Sequence, residues 1–126
     1  MRYLLDTTLI IDHANRDSAA MALLDQLFAE TSELFTCDVV TCEALSLGDA
    51  LHRRAIGSLL DALEYVSTSP DAARWAATSR HGRHAEGGKL GLGDALIGGV
   101  AVSLGATVVT RNRPDFERQG VRVLAY

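Results

Sequence analysis

The sequence predicts an α/β domain: a central parallel sheet of about four or five strands, flanked by helices. Short apolar runs of strand length alternate with longer stretches whose apolar residues recur at helical spacing, and this alternation favours a parallel sheet covered on both faces. The chain has 126 residues, of which 48% are apolar, enough for one core and too few for two. No repeat, coiled-coil heptad or low-complexity tail interrupts the pattern, so residues 1–126 are expected to fold as one domain.

The elements follow in order. Residues 2–5 suit a buried or half-buried first strand. A short helical turn from Leu9 carries Ile10, Ile11 and Ala14, and Asn15-Arg16-Asp17-Ser18 then caps a helix to about Glu30, with Met21, Leu24, Leu27 and Phe28 as its apolar stripe. Leu34 to Cys37 read as the second strand. Asp38 is an N-cap candidate for a helix that gathers Val39, Val40, Glu43, Ala44 and Leu47, with Gly48 as terminator. A helix over 50–63 and a strand over 65–67 come next, and Ser69-Pro70-Asp71 starts a helix that runs to His84. The stretch from His84 to Gly93 contains four glycines and reads as a loop. A helix over 94–104, a strand over 106–110, a turn around Arg113-Pro114 and a strand over 121–124 complete the chain.

With 16 acidic against 12 basic residues the net charge is -4, so the surface as a whole does not attract polyanions. A nucleic-acid ligand would need a local basic patch or metal ions to bridge its phosphates. Arg74, Arg80, Arg83 and Lys89, with His81 and His84 among them, offer either an RNA backbone track or a solvated helix face. Trp75 is expected to pack more readily than to stack on a base. No signal-peptide pattern and no apolar span of membrane length occurs, which points to a cytoplasmic protein without a membrane partner. Cys37 and Cys42 support neither a disulfide framework nor a zinc knuckle and are expected in or near the core.

Acidic residues carry the chemical signal. Asp6 stands where the first strand stops, and in open α/β sheets ligands bind beyond the carboxyl ends of the strands. A helix cap is the structural alternative for Asp6, and for Asp94, which opens an apolar helix just after Gly91 and Gly93. Glu43 lies among Val39, Val40, Ala44 and Leu47 with no lysine or arginine at i±4, leaving a solvated glutamate as its alternative. After the strand ending at Thr110 comes Arg111-Asn112-Arg113-Pro114-Asp115-Phe116. Carboxylates gathered from separate segments onto one crevice suit Mg²⁺ or Mn²⁺, which take hard oxygen ligands and retain waters, and such an ion activates water against a phosphate ester. A dinucleotide site would need a glycine-rich loop after the first strand, and a phosphatase of the haloacid dehalogenase type a second aspartate two residues after Asp6; Thr8 stands there instead.

The opening LLDTTLI, the helical Glu43, GLGDALIGGVAVSLGATVVTRN and RNRPDF together resemble a PIN domain, of the small single-domain kind that serves as the ribonuclease toxin of bacterial VapBC toxin-antitoxin pairs. The resemblance extends from residue 2 to about residue 124. It implies a Mg²⁺- or Mn²⁺-dependent endoribonuclease leaving a 5′-phosphate and a 3′-hydroxyl, with Asp6, Glu43, Asp94 and Asp115 as catalytic and metal-binding acids. Thr7, Thr110 and Asn112 would support them, and Arg80, Arg83, Lys89, Arg111 and Arg113 are candidate RNA contacts. Asn112 stands where relatives with a fourth acid after the threonine-arginine pair carry that acid; of the two, Asp115 is expected to matter more for metal affinity. The resemblance also implies a homodimer, expected through Leu24, Leu27, Phe28, Val39 and Leu47, and a small cognate antitoxin seated in a groove. The alternative is a PIN-like RNA-binding or protein-interaction module without catalysis.

Overall fold

The computed structural model describes residues 1–30 and 32–126. Among them, five strands form one sheet: β1 (Arg2–Leu5), β2 (Glu33–Cys37), β3 (Glu64–Val66), β4 (Thr107–Thr110) and β5 (Val123–Ala125). Their order is β3-β2-β1-β4-β5 and every pairing is parallel. The central strands explain their own composition. Leu4, Leu5 and all of Thr107–Thr110 are buried, as expected of strands covered on both faces.

Helices α1 (Thr7–Ala14), α2 (Ser18–Ala29), α3 (Asp38–Leu45), α4 (Ala50–Asp61), α5 (Pro70–Ala85), α6 (Leu92–Leu104) and α7 (Arg113–Glu117) connect and cover the strands. Three of them start where a side chain accepts an otherwise unpaired amide: Asp17 from Ala20 at 3.0 Å, Asp49 from His52 at 2.8 Å and Ser69 from Ala72 at 3.1 Å. Helices α5 and α6 pack closely because α6 carries Gly99: a Cβ there would lie 2.3 Å from the Ala72 carbonyl oxygen.

The chain departs from the sequence expectations in a few places, each with a local cause. Helix α1 begins at Thr7, directly after Asp6, and not at Leu9. Cys37, not Asp38, occupies the N-cap of α3; the Asp38 carboxylate instead accepts the Val39 amide and both the amide and hydroxyl of Thr68, tying the start of α3 to the link that follows β3. Helix α3 ends at Leu45, so Gly48 belongs to the link into α4. The segment around Arg113-Pro114 forms a short helix, since proline suits a first helical turn and the buried Phe116 anchors it. Cys37 is buried but Cys42 is exposed.

The register places the site. Leu5 pairs with Val109, and the Asp6 amide donates to the Val109 carbonyl at 3.0 Å, so Asp6 and Thr110 emerge side by side at the carboxyl end of the sheet. The chain runs outward from β1 to β2 and β3 on one side, then to β4 and β5 on the other, making the β1–β4 boundary a topological switch point.

Candidate active site

Asp6 is 2% exposed. Although it precedes α1, its side chain makes no capping hydrogen bond. Its Oδ2 accepts two hydroxyls instead, from Thr110 at 2.7 Å and Thr8 at 3.0 Å, while Oδ1 is buried with no partner. A buried acceptor without a partner is costly. Burial raises the Asp6 pKa, although the Thr110 hydroxyl, the nearby Thr7 backbone amide and the Thr8 hydroxyl favour its charge.

Asp94 lies in the first turn of α6. Burial, followed by the negative charges of Asp6, Asp115 and Glu43, pushes its pKa up to about 6. These are electrostatic neighbours drawn from the start of α1, from α3 and from α7, so the four sequence-predicted acids converge at one end of the sheet.

Glu43 is exposed, and its Oε1 accepts the Thr7 hydroxyl at 2.7 Å. It is therefore neither buried in the apolar side of α3 nor left to solvent alone. Gly93 lies under it: a Cβ at that position would come within 2.3 Å of Glu43 Oε2. The glycine before Asp94 thus gives room to an acid on a different helix. Gly91 has open space around it and shows no such role.

Asp115 and Asn112 form a pair. The Asn112 side-chain amide donates to Asp115 Oδ2 at 2.6 Å, and the Asn112 backbone amide donates to Thr110 Oγ1 at 2.8 Å. Thr110 thereby links Asp6 to the segment that carries Asp115. Two contributors lay outside the sequence expectations. Thr8 has a visible signal in its place two residues after Asp6. Gln119 has little: its side-chain amide donates to the backbone carbonyls of Asp115 at 3.0 Å and Asp94 at 3.3 Å, holding α7 against the start of α6.

The expected basic contacts separate into two groups. Arg111 pairs with Asp12 at 2.8 Å and lies over the Tyr126 ring, and Arg113 pairs with Glu117. Arg80 donates to the Leu90 carbonyl at 3.0 Å. Arg83 and Lys89 instead line an open cleft together with Arg118. His81 and His84 are exposed, and Trp75 packs against the core.

The donor chemistry fits a divalent cation: an unpartnered carboxylate oxygen, a second acid with a raised pKa, and two further carboxylates within electrostatic reach, all hard oxygen donors. Among the described residues no three acid, histidine or cysteine side chains already form a ligand cage. Glu43 and Asp115 are each engaged by a hydrogen bond, from Thr7 and from Asn112 respectively. Mg²⁺ characteristically needs only one or two carboxylates directly, the remainder of its shell being water.

The PIN domain family model matches residues 3–121. No curated protein is similar enough in sequence to add to this. Among solved structures, the chain is similar to VapBC2 from Rickettsia felis bound to a promoter DNA fragment, with a TM-score of 0.86 at 22% identity, covering 100% of this chain and 99% of that one. It is also similar to VapBC-1 from nontypeable Haemophilus influenzae (TM-score 0.79, 23% identity, 99% and 98% covered) and to the sarcin-ricin loop cleaving toxin VapC20 from Mycobacterium tuberculosis (TM-score 0.70, 19% identity, 94% and 95% covered). At these identities the structural likeness speaks for the fold. With the family model spanning nearly the whole chain, the protein belongs to the PIN domain family.

Proposed function

We propose that the protein is a Mg²⁺- or Mn²⁺-dependent endoribonuclease and acts as the toxin of a toxin-antitoxin pair. The observation that carries this reading is the buried, unpartnered Oδ1 of Asp6 beside three further acids, among which the Asp94 pKa is raised. Asp6 and Asp94 would hold the ion, with Glu43 and Asp115 completing the acidic set. A bound divalent ion would lower the pKa of water and neutralise charge on the scissile phosphate. Thr8 and Thr110 fix the Asp6 carboxylate, Thr7 orients Glu43, and Asn112 orients Asp115. Gln119 keeps the helices bearing Asp94 and Asp115 in register.

The toxin role rests on the similarity to proteins solved as toxin-antitoxin complexes. An apolar groove lined by Ile11, Ala44, Leu47 and Ile56 borders Glu43 and suits a segment of a cognate antitoxin. The exposed apolar surface that a homodimer could use is smaller than the sequence suggested. Leu24 and Leu27 are buried in the core, whereas Phe28 and Leu47 are 47% and 80% exposed. Val39 is half-buried. No helix among the described residues is long and apolar enough to cross a membrane.

Cleavage of RNA with and without chelator tests the proposal. The parent should cut RNA only with Mg²⁺ or Mn²⁺, and Asp94→Asn, which preserves size, should fold but not cut. Cleavage that survives chelation and loss of Asp94 would overturn the mechanism. RNA binding without cleavage by the metal-loaded parent would identify a non-catalytic module. Sedimentation of the purified protein tests the dimer, and a monomer at all concentrations would contradict it.

A further inference from the structure

Arg83 lies in the last turn of α5, Lys89 in the loop that follows, and Arg118 at the end of α7. With Glu86 and Gly88 they line a cleft of about 450 Å³, within the size range of sites that hold small ligands. Three cations against one carboxylate make it a local reversal of the chain's net negative charge. Among the described residues none of the three cations forms an ion pair, in contrast to Arg111 and Arg113.

The wall of the cleft is held in place. The Gly88 amide donates to the Arg83 carbonyl at 2.9 Å, and a Cβ on Gly88 would lie 2.6 Å from Arg83 Cδ. The missing side chain lets the Arg83 stem lie against the loop. On the opposite wall, Arg118 adjoins Gln119, whose amide spans the backbone carbonyls of Asp94 and Asp115. The segment that carries one cation of the cleft is therefore tied to the segments that carry two of the acids.

We propose that Arg83, Lys89 and Arg118 form a subsite for an RNA backbone phosphate outside the scissile bond. This rests on the endoribonuclease reading and adds to it a point of grip away from the acids. Lysine and arginine side chains on phosphate position a strand without reading its bases, and no aromatic side chain lines this cleft. Glu86 opposes the anion, giving the site a residue whose neutralisation should strengthen binding.

The test uses full-length protein carrying Asp94→Asn, so that RNA is bound and not consumed, with a labelled RNA oligonucleotide titrated across a salt series. Arg118→Gln and the double variant Arg83→Gln/Lys89→Gln should weaken binding equally for RNAs of different sequence and reduce the salt slope by about 1 for each phosphate no longer neutralised. Glu86→Gln should bind more tightly. Gly88→Ala, which keeps every charge but displaces Arg83, should weaken binding. Parent affinity and slope in the arginine and lysine variants, with Glu86→Gln unchanged, would overturn the subsite. If the parent still cleaves RNA in that case, only the subsite fails; a parent that neither binds nor cleaves RNA refutes both readings. A variant that fails to fold by circular dichroism leaves the opposite-signed Glu86→Gln and the Gly88→Ala results to decide.

Discussion

Asp6 and Asp38 occupy equivalent places and meet opposite fates. Each directly follows a parallel strand at the carboxyl end of the sheet, and each stands at the start of a helix. Asp38 is nearly saturated with donors. Burial disfavours its charge, but the Thr68 hydroxyl and amide and the Val39 amide outweigh this and lower its pKa. Asp6 is more deeply buried, receives two hydroxyls on one oxygen and nothing on the other, and has its pKa raised. A strand-end aspartate with full satisfaction is a structural tie. One left unsatisfied among other acids retains the electrostatic demand that a cation can meet.

The largest expected separation between the two is in activity. Asp6→Asn should reduce metal-dependent RNA cleavage by more than about 100-fold, beyond the range typical of removing a group that only supports a metal's ligands. Asp38→Ala should leave cleavage within a small factor of the parent per folded molecule. It should instead destabilise the fold by about 1–3 kcal/mol, because the Thr68 amide and hydroxyl lose their acceptor. Denaturant unfolding and a cleavage assay on the same preparations separate these outcomes, and equal activity losses would erase the distinction.

Asn112 and Asp115 sharpen it. Asp115→Ala should weaken Mn²⁺ binding about 10- to 100-fold, and Asn112→Ala by less, since the amide acts on the ion through the carboxylate it holds. Side-by-side calorimetry gives the order, and a reversed order would assign the ion contact to Asn112.

A smaller effect concerns pH. The Asp94 pKa is raised from the ordinary carboxylate value to about 6, so the folded state binds its proton more tightly than the unfolded chain does. Stability from this group is therefore fully present below the ordinary value, near 4, and declines as pH rises through about 6. In chelator, melting temperature should fall over that interval; Mg²⁺ should counter the fall, and Asp94→Asn should flatten it. A melting temperature that rises over the same interval because of Asp94 would reverse the inferred electrostatics.

Much of the architecture was legible because its signals are local. Leu4-Leu5 and Val108-Val109 mark central strands by composition, Ser69-Pro70 marks a helix start, and Asp6 marks itself by ending an apolar run. Helical stripes were harder to orient. Leu24, Leu27 and Phe28 belong to one pattern, yet the first two face the core and Phe28 does not, a difference decided by where α2 meets the rest of the fold. Pairings across long separations left no trace in spacing. Arg111 finds Asp12 across the chain, which removes it from the available cations, and Gln119 reaches the backbone of Asp94. Thr68 similarly turns Asp38 from an anticipated cap into a tie between α3 and the link after β3. The acids themselves were recognisable, but which of their oxygens lacked donors depended on two threonines, Thr8 in the first turn of α1 and Thr110 at the end of β4.

Calorimetric titration of Mn²⁺ into the parent, Asp6→Asn and Asp38→Asn proteins, all shown to be folded, tests most directly the claim that the unsatisfied strand-end carboxylate marks the ion site. The parent and Asp38→Asn should bind Mn²⁺ with similar affinity while Asp6→Asn loses measurable binding. Undiminished binding by Asp6→Asn, or loss of binding in Asp38→Asn alone, would contradict it.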